Sequence, residues 1–520
     1  MKITTVKLNN FRCFKEETSI SFKDLTVFVG RNDAGKSTIL QALDLFFNEG
    51  KGVVKFDKDD TCKLGDSAGE SEISVSFSDL PPTVVIDETN ETTLADEYLL
   101  NENGELEIVK KFSTAATKPK VFVRAIHPQN PECCDLLQKK QKDLQHMIKN
   151  LGIDCGDNTR NAMMRKTIWN HYSESLELAP TLIEITKEDA KIIWTKLEEY
   201  IPLYFLFQSD RENTDADDEV QDPLRAAVKT ILSEETSIKE MLSNVAEKVT
   251  EAMKAVAERT LAMAQELDPD VARTLRPVIP EPQKLRWDDV FKSVGISGDN
   301  DIPINKRGSG VKRLLLLSFF RAEAEEQQRK QQRVGIVYAI EEPETSLHFS
   351  HQRMIADALK RLADKQGIQV VLTTHSGCIL KEMDSDKVRL VKQIENRHVV
   401  LRVENNALPY PSLNEIAFLA FGEETDEYHD ELYSHIVVAR ADGKGEYLPN
   451  EFKAGKATRS YRRDDRPDNS SQHLVLSEYI RNQIHHPTNH ANPRFSKSDL
   501  HDSILAMRAY LLNTNSTNDQ

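Results

Sequence analysis

The sequence is poor in cysteine: 520 residues contain six, and none of them form a CxxC pair. Cys13, Cys62, Cys133, Cys134, Cys155 and Cys378 therefore offer neither a zinc-ribbon spacing nor a dense disulfide framework. Free thiols in a reducing cytosol are expected. Long apolar runs are also missing. The longest, around Leu314–Phe320, falls far short of the roughly 20 residues that span a bilayer. The opening Met1-Lys2-Ile3-Thr4-Thr5 has no apolar signal-peptide core. Secretion and membrane insertion are set aside, and a cytoplasmic location is expected. Positive charge is in deficit too, with 84 acidic against 68 basic residues and a net charge of −16. A chain of that sign does not coat nucleic acid, so any contact with DNA or RNA must come from a local basic patch.

What is present suffices for a sizeable core: 39% of residues are hydrophobic and 29% charged, which argues against disorder throughout. At about 100–200 residues per domain the length suggests two to four domains. Residues 1–125 read as strand-rich, with strands at Lys2–Leu8, Leu25–Val29, Glu72–Phe77, Leu106–Phe112 and Val121–Ala125 and a helix from Lys36 to Phe47. Residues 126–300 change to amphipathic helices. Ile238, Met241, Leu242, Val245, Val249, Met253 and Val256 share one helical face; that helix of about 30 residues would be about 45 Å long. It suits either a coiled-coil-like arm or a bundle layered on the rest. The apolar segment Leu203–Phe207 interrupts these helices and ends at Gln208. Residues 301–395 return to α/β, with β-rich runs Val334–Ile340 and Gln369–Thr374 and a helix over His351–Leu362. Residues 396–520 form a C-terminal module with two terminal helices, His473–His485 and Lys497–Leu512, and a polar tail from Asn513.

The strongest motif is Gly30-Arg31-Asn32-Asp33-Ala34-Gly35-Lys36-Ser37-Thr38, a full GxxxxGK[ST] loop between an apolar strand and a helix. Its glycines let the backbone wrap phosphates, Lys36 would reach the β- and γ-phosphates, and Ser37 would ligate Mg²⁺. Glu341-Glu342-Pro343-Glu344 follows a second buried strand. Glu341 is assigned to the Mg²⁺ shell and Glu342 to general-base duty toward the attacking water. An acidic pair at a solvated turn would look the same in isolation. His375, at the end of a third strand in Thr373-Thr374-His375-Ser376, is placed at the γ-phosphate or the attacking water. Ser309 and Gly310, within Arg307–Arg313, would offer a second anion site through backbone amides, although Gly-Ser-Gly is also ordinary loop composition.

Taken in order, these elements resemble the ABC-type ATPase heads of the RecF and SMC kind. Leu8-Asn9-Asn10-Phe11-Arg12-Cys13-Phe14 matches the family's "NFR-x-F" opening, and Ser309-Gly310 stands where the family has its signature motif. The resemblance implies an α/β, ABC-type P-loop ATPase head, a mixed sheet with helices. ATP and Mg²⁺ would lie between two heads of a homo-oligomer, touched by Arg12, Gly30, Asn32, Gly35, Lys36, Ser37 and Thr38 of one and by Ser309 and Gly310 of the other. Gln208 is a candidate Q-loop ligand to Mg²⁺. Glu341-Glu342-Pro343-Glu344 with Leu347-His348 is closer still to the overcoming-lysogenization-defect class. No Toprim-type series of acidic residues follows residue 395. The similarity is therefore to stand-alone ATPase subunits of bacterial anti-phage systems such as Septu and PARIS, which work with a separate HNH or Toprim nuclease, with DNA or a phage component as a further partner. A DNA-repair ATPase of RecF or SMC type is the second reading.

Arg481-Asn482-Gln483-Ile484-His485-His486-Pro487 also resembles the R-x4-H motif of HEPN ribonucleases, in which Arg481 and His486 would act on a scissile phosphate. A helix end capped by His485 and His486 and stopped by Pro487 is the plainer alternative. The basic stretch Lys453–Arg466 is equally a solvated loop or a polymer contact.

Overall fold

Alternating apolar residues set the first sheet. The computed structural model describes residues 1–64, 69–87, 90–113, 116, 118–185, 190–208, 236–278, 295–297, 309–331, 333, 335–395, 397–403, 407–408, 412–438, 447–463 and 471–518. The chain opens with β1 (Lys2–Asn9), β2 (Thr18–Ser21), β3 (Leu25–Val29) and helix α1 (Lys36–Asn48). Strands β4 (Ser71–Ser78), β5 (Leu106–Phe112), β6 (Lys120–Pro128) and β7 (Leu178–Glu184) follow. They form an antiparallel sheet in the order β2-β1-β4-β5-β6-β7. Its register lines up Val6, Val75, Ile108, Val123 and Ile183 across five strands, all buried. Such cross-strand apolar rows fix register, because a slip of one residue would turn each of these side chains to the other face.

The second sheet is written differently. Strand β8 (Leu203–Phe207) pairs in parallel with β9 (Ile336–Glu341), β9 with β10 (Ile368–Thr373), and β10 with β3. β3 and β9 are buried at every position and β10 at all but the first. The continuous apolar runs are what parallel strands covered on both faces require.

The expectation of a helical insertion over residues 126–300 needs correction at three places, one of them the short antiparallel pair of Arg276–Val278 with Gly295–Ser297. β7 extends the antiparallel sheet, and β8 sits beside β9 in the parallel one. The sequence hides β7 because Leu178–Glu184 contains Pro180, which has no amide donor; the strand tolerates it at the sheet edge. Helices do fill much of the rest: α2 (Gln141–Leu151), α3 (Asn161–His171), α4 (Ala190–Glu198) and α5 (Thr236–Leu267). The C-terminal half of α5 is layered on the head. Ala257, Thr260, Ala264 and Leu267 are buried, and Glu266 pairs with Arg321 of α6 (Ser309–Gln331) at 2.8 Å. The bundle alternative thus describes that half of the helix.

Contacts divide the chain into two units. The first comprises Met1–Phe28, Gly35–Glu382 and Gln393–Val400, and the second Val29–Ala34, Met383–Lys392 and Leu401–Gln520. The first also contains α7 (Phe349–Ala363). The second has its own core, built by α8 (Leu413–Phe421), α9 (Asp426–Val438), α10 (Leu476–His485) and α11 (Lys497–Asn518) around Leu432, Ile436, Ile480, Ile504 and Met507. A hairpin of β11 (Thr458–Arg462) and β12 (Ser471–Val475) precedes α10. That pairing moves the start of α10 from the expected His473 to Leu476. α11 runs on to Asn518, through residues expected to be a loose tail.

Polar groups are also enclosed in this second core. His429 Nε2 lies 2.9 Å from Ser503 Oγ, which donates to Ser477 Oγ at 2.6 Å. Arg508 bonds both Glu415 and the Tyr428 hydroxyl. Burial pushes the His429 imidazole down to about 4. Its folded value lies below the ordinary one near 6.5, so the unfolded chain takes up the proton first as pH falls. Stability from this group is complete above about pH 6.5 and is lost toward pH 4, by about 3 kcal/mol. Urea midpoints of the second unit should fall more steeply between pH 7.5 and pH 4.5 in the parent than in His429→Gln. Equal slopes would contradict the assignment.

Candidate nucleotide-binding site

Register brings the candidate residues to one level. Glu341 on β9 is opposite Thr373 on β10, and Thr373 is opposite Phe28 on β3. Thr374 N–H donates to the Phe28 carbonyl at 3.1 Å. Three neighbouring parallel strands therefore end together, and ligands of open α/β sheets bind outside such carboxyl ends. Gln208 directly follows β8, whose Phe207 pairs with Ile340, so it leaves the sheet at the same end.

α1 opens at this edge with its first turn bare. Gly35 precedes it at φ 100°, and the helix has no side-chain cap and no acidic residue in its first turn. First-turn backbone amides and the positive end of the helix dipole are what a phosphate would meet there. A Cβ on Gly35 would lie 2.7 Å from Cys13 Sγ, so both backbone conformation and space require glycine. Lys36 is buried and Ser37 exposed. In the second unit, Gly30 has φ 154°, and a Cβ there would sit 2.2 Å from the Val391 carbonyl oxygen. Asn32 belongs to the same segment.

Past β9 the chain makes a strained turn. Glu342 adopts φ 42°, in the left-handed region, while its amide donates to the Thr373 carbonyl at 3.1 Å. Glu342 Oε1 lies 3.3 Å from His375 Nε2. Burial and then the nearby Lys36 charge lower the His375 pKa, against the opposing pull of Glu342. The imidazole is thus neutral at pH 7, able to accept one hydrogen bond and donate another. Glu341 is buried, 8% exposed.

Glu344 has a part that sequence reasoning did not assign. Its carboxylate is buried, and one oxygen accepts from Thr374 Oγ1 and from the His375 amide, both at 2.8 Å. Burial raises its pKa, and those same hydrogen bonds oppose the rise. Ser376 continues the anchorage: its hydroxyl donates to Gln352 of α7 at 2.6 Å and accepts from the Cys378 and Ile379 amides. The turn after β9 and the turn after β10 are thereby tied together, and His375 is held between them. The sequence signal was the third carboxylate of Glu341-Glu342-Pro343-Glu344.

The set fits a magnesium nucleotide. A bare helix N-terminus with a buried lysine suits phosphate, and Mg²⁺ bound to a nucleotide commonly takes only one or two protein carboxylates. The family model described as an AAA ATPase domain matches residues 1–380. The chain belongs to the AAA ATPase domain family. As such it is an ATPase. A curated relative, the DNA double-strand break repair Rad50 ATPase of Methanococcus maripaludis, is 28% identical over 186 residues, covering 34% of this chain. The match spans only 18% of that relative's length. Among solved structures, the SMC head domain from Thermotoga maritima is similar at a TM-score of 0.36 and 12% identity, covering 78% of this chain and all of that one. An SmcHead bound to the C-winged helix domain of ScpA gives 0.41 and 15%, covering 78% of this chain and 98% of that one. Such loose superpositions carry no weight beside the strand order and the family match.

The remaining expected residues of this AAA ATPase lie as follows. Arg12, at φ 47°, bonds Asp60 at 2.6 Å and Gln41 of α1. Thr38 is bonded to Cys13, on the same side of α1. Ser309 and Gly310 open α6, while Arg307 and Gly308 lie outside the described residues. A Cβ on Gly310 would come within 3.2 Å of the Ser346 carbonyl, so α6 starts close against the turn after β9. Arg481 and His486 are in the second unit, Arg481 within α10 and His486 just past its end. Of Lys453–Arg466, the part Thr458–Arg462 is strand β11, and 464–466 lie outside the described residues.

Removing the Glu344 acceptor should loosen His375 without touching the P-loop. Glu344→Ala is expected to lower kcat for ATP about tenfold or more, with ATP affinity changed less than about threefold. Glu344→Gln should recover part of the rate. Unchanged kcat in Glu344→Ala would contradict the anchoring role.

Proposed function

We propose that this ATPase is the nucleotide-driven subunit of a bacterial anti-phage complex, in which ATP-dependent pairing of two heads regulates a separate nuclease. The observation that carries the catalytic part is the meeting of Lys36, Glu342 and His375 where three parallel strands end. Gly30, Asn32, Gly35 and Thr38 would line the phosphates with Lys36, and Arg12 would flank the nucleotide. Ser37 and Glu341 would hold Mg²⁺, with Gln208 as a further ligand; the ion neutralises charge on the phosphates when bound. Glu342 accepts a proton from the attacking water. His375, neutral and 3.3 Å from Glu342, orients that water or the γ-phosphate oxygen. Ser309 and Gly310 of a second copy would close the site, which makes hydrolysis depend on pairing.

The second unit supports a role beyond hydrolysis, because a separately cored module of 136 residues is a domain in its own right. Its use as the nuclease contact follows the likeness to stand-alone defence ATPases. A DNA-repair role is as consistent, and the identity with the Rad50 ATPase favours it. A ribonuclease reading draws on Arg481 and His486 facing one cavity.

Two measurements separate these. Lys36→Ala should abolish ATP hydrolysis, and Glu342→Gln should accumulate an ATP-bound dimer visible by light scattering; a Lys36→Ala variant at the parent rate would overturn the site. Expressed in its native operon, the ATPase should co-purify with a nuclease whose activity changes with ATP. Purification alone, with hydrolysis stimulated by duplex DNA, would favour repair. RNA cleavage by the parent but not by His486→Ala would favour the ribonuclease.

A further inference from the structure

The second unit carries a cavity of about 460 Å³, a size suited to a small organic ligand. It is lined by Arg463, just past β11, by Arg481 and His486 of the α10 end, and by Tyr433, Tyr447 and Gln472. No carboxylate is among its described lining residues, although the chain as a whole has a net charge of −16. Two acidic groups on the flanking helices are engaged elsewhere: Glu478 pairs with Lys453, and Asp430 lies 2.7 Å from His485. The charged side chains among its described lining are thus the cations Arg463 and Arg481, which come from separate segments that the fold brings together.

Arg481 gives the cavity its direction. Its guanidinium sits over the Tyr433 ring at 5.4 Å, which fixes the plane of the fork. Its Nε is buried and has no hydrogen-bond partner among the described residues. A buried guanidinium donor left unmet is costly, and an anionic oxygen would satisfy it. Tyr447, 54% exposed, offers a flat ring on which a base can stack. Gln472 adds an amide able to donate and accept.

We infer that this cavity binds a nucleotide phosphate, with Arg481 and Arg463 on the phosphate and Tyr447 against the base, as a ligand site separate from the ATP site. Such a phosphate can come from a free mononucleotide or from a single-stranded chain, and the inference requires no cleavage. It rests on the second unit alone, so it stands or falls independently of the proposed head mechanism.

The test uses the full chain carrying Lys36→Ala, so that the P-loop lacks its phosphate lysine, with no other nucleotide present. A fluorescently labelled decauridylate is titrated by anisotropy, and uridine 5′-monophosphate is added as competitor. Saturable binding of the decauridylate is expected. Displacement by the mononucleotide identifies a free nucleotide as sufficient, and binding of the strand without displacement identifies single-stranded nucleic acid. Arg481→Ala should weaken binding about tenfold or more, Arg481→Lys less, and Tyr447→Ala, at an exposed ring, about fivefold. No binding of either probe, or parent-like affinity in both Arg481→Ala and Tyr447→Ala, would overturn the inference.

Discussion

The head depends on one constraint: β9, β10 and β3 must run parallel and end level. Glu341, Thr373 and Phe28 are register partners across those strands, and everything chemical hangs from that line. A shift of one residue in β9 would carry Glu341 off the edge and turn its side chain to the other face. The amide of Glu342 and the amide of Thr374 both bond to the neighbouring strand end, so the ladder is continued one residue into each turn. Glu344 then joins the two turns from beneath. Its carboxylate is out of water, and it remains bound in place because two donors meet it there.

Much of this was legible beforehand. Leu25–Val29, Val334–Ile340 and Gln369–Thr374 read as buried strands because parallel strands covered on both faces are apolar throughout, and the structure has β3, β9 and β10 there. The P-loop was legible because phosphate wrapping demands glycine at fixed spacing; the backbone of Gly30 and Gly35 shows why no other residue fits. The link from Glu344 to His375 was not legible, since it spans about thirty residues and depends on register between strands. β7 was hidden by Pro180, and β8 by its place among helices. Ser309, expected to belong to a signature motif, opens α6, while the loop before it lies outside the described residues.

The two units use buried polarity in different ways. In the head, Glu344 and Ser376 aim a histidine at the strand ends. In the second unit, His429, Ser503 and Ser477, and separately Arg508, Glu415 and Tyr428, lock helices to one another. Such networks admit few alternative packings, because each rearrangement would leave a buried donor or acceptor unmet. A rigid module of this kind can present a cavity or a contact surface with constant shape while the head turns over nucleotide.

The central claim is that Glu342 and His375 act as one hydrolytic unit beside Lys36. A double-mutant cycle on kcat for ATP with Glu342→Gln, His375→Ala and the pair tests it most directly. The account predicts strong non-additivity, the double variant being about as slow as the slower single variant. Rate losses that simply multiply would contradict it, since two residues acting independently give that result.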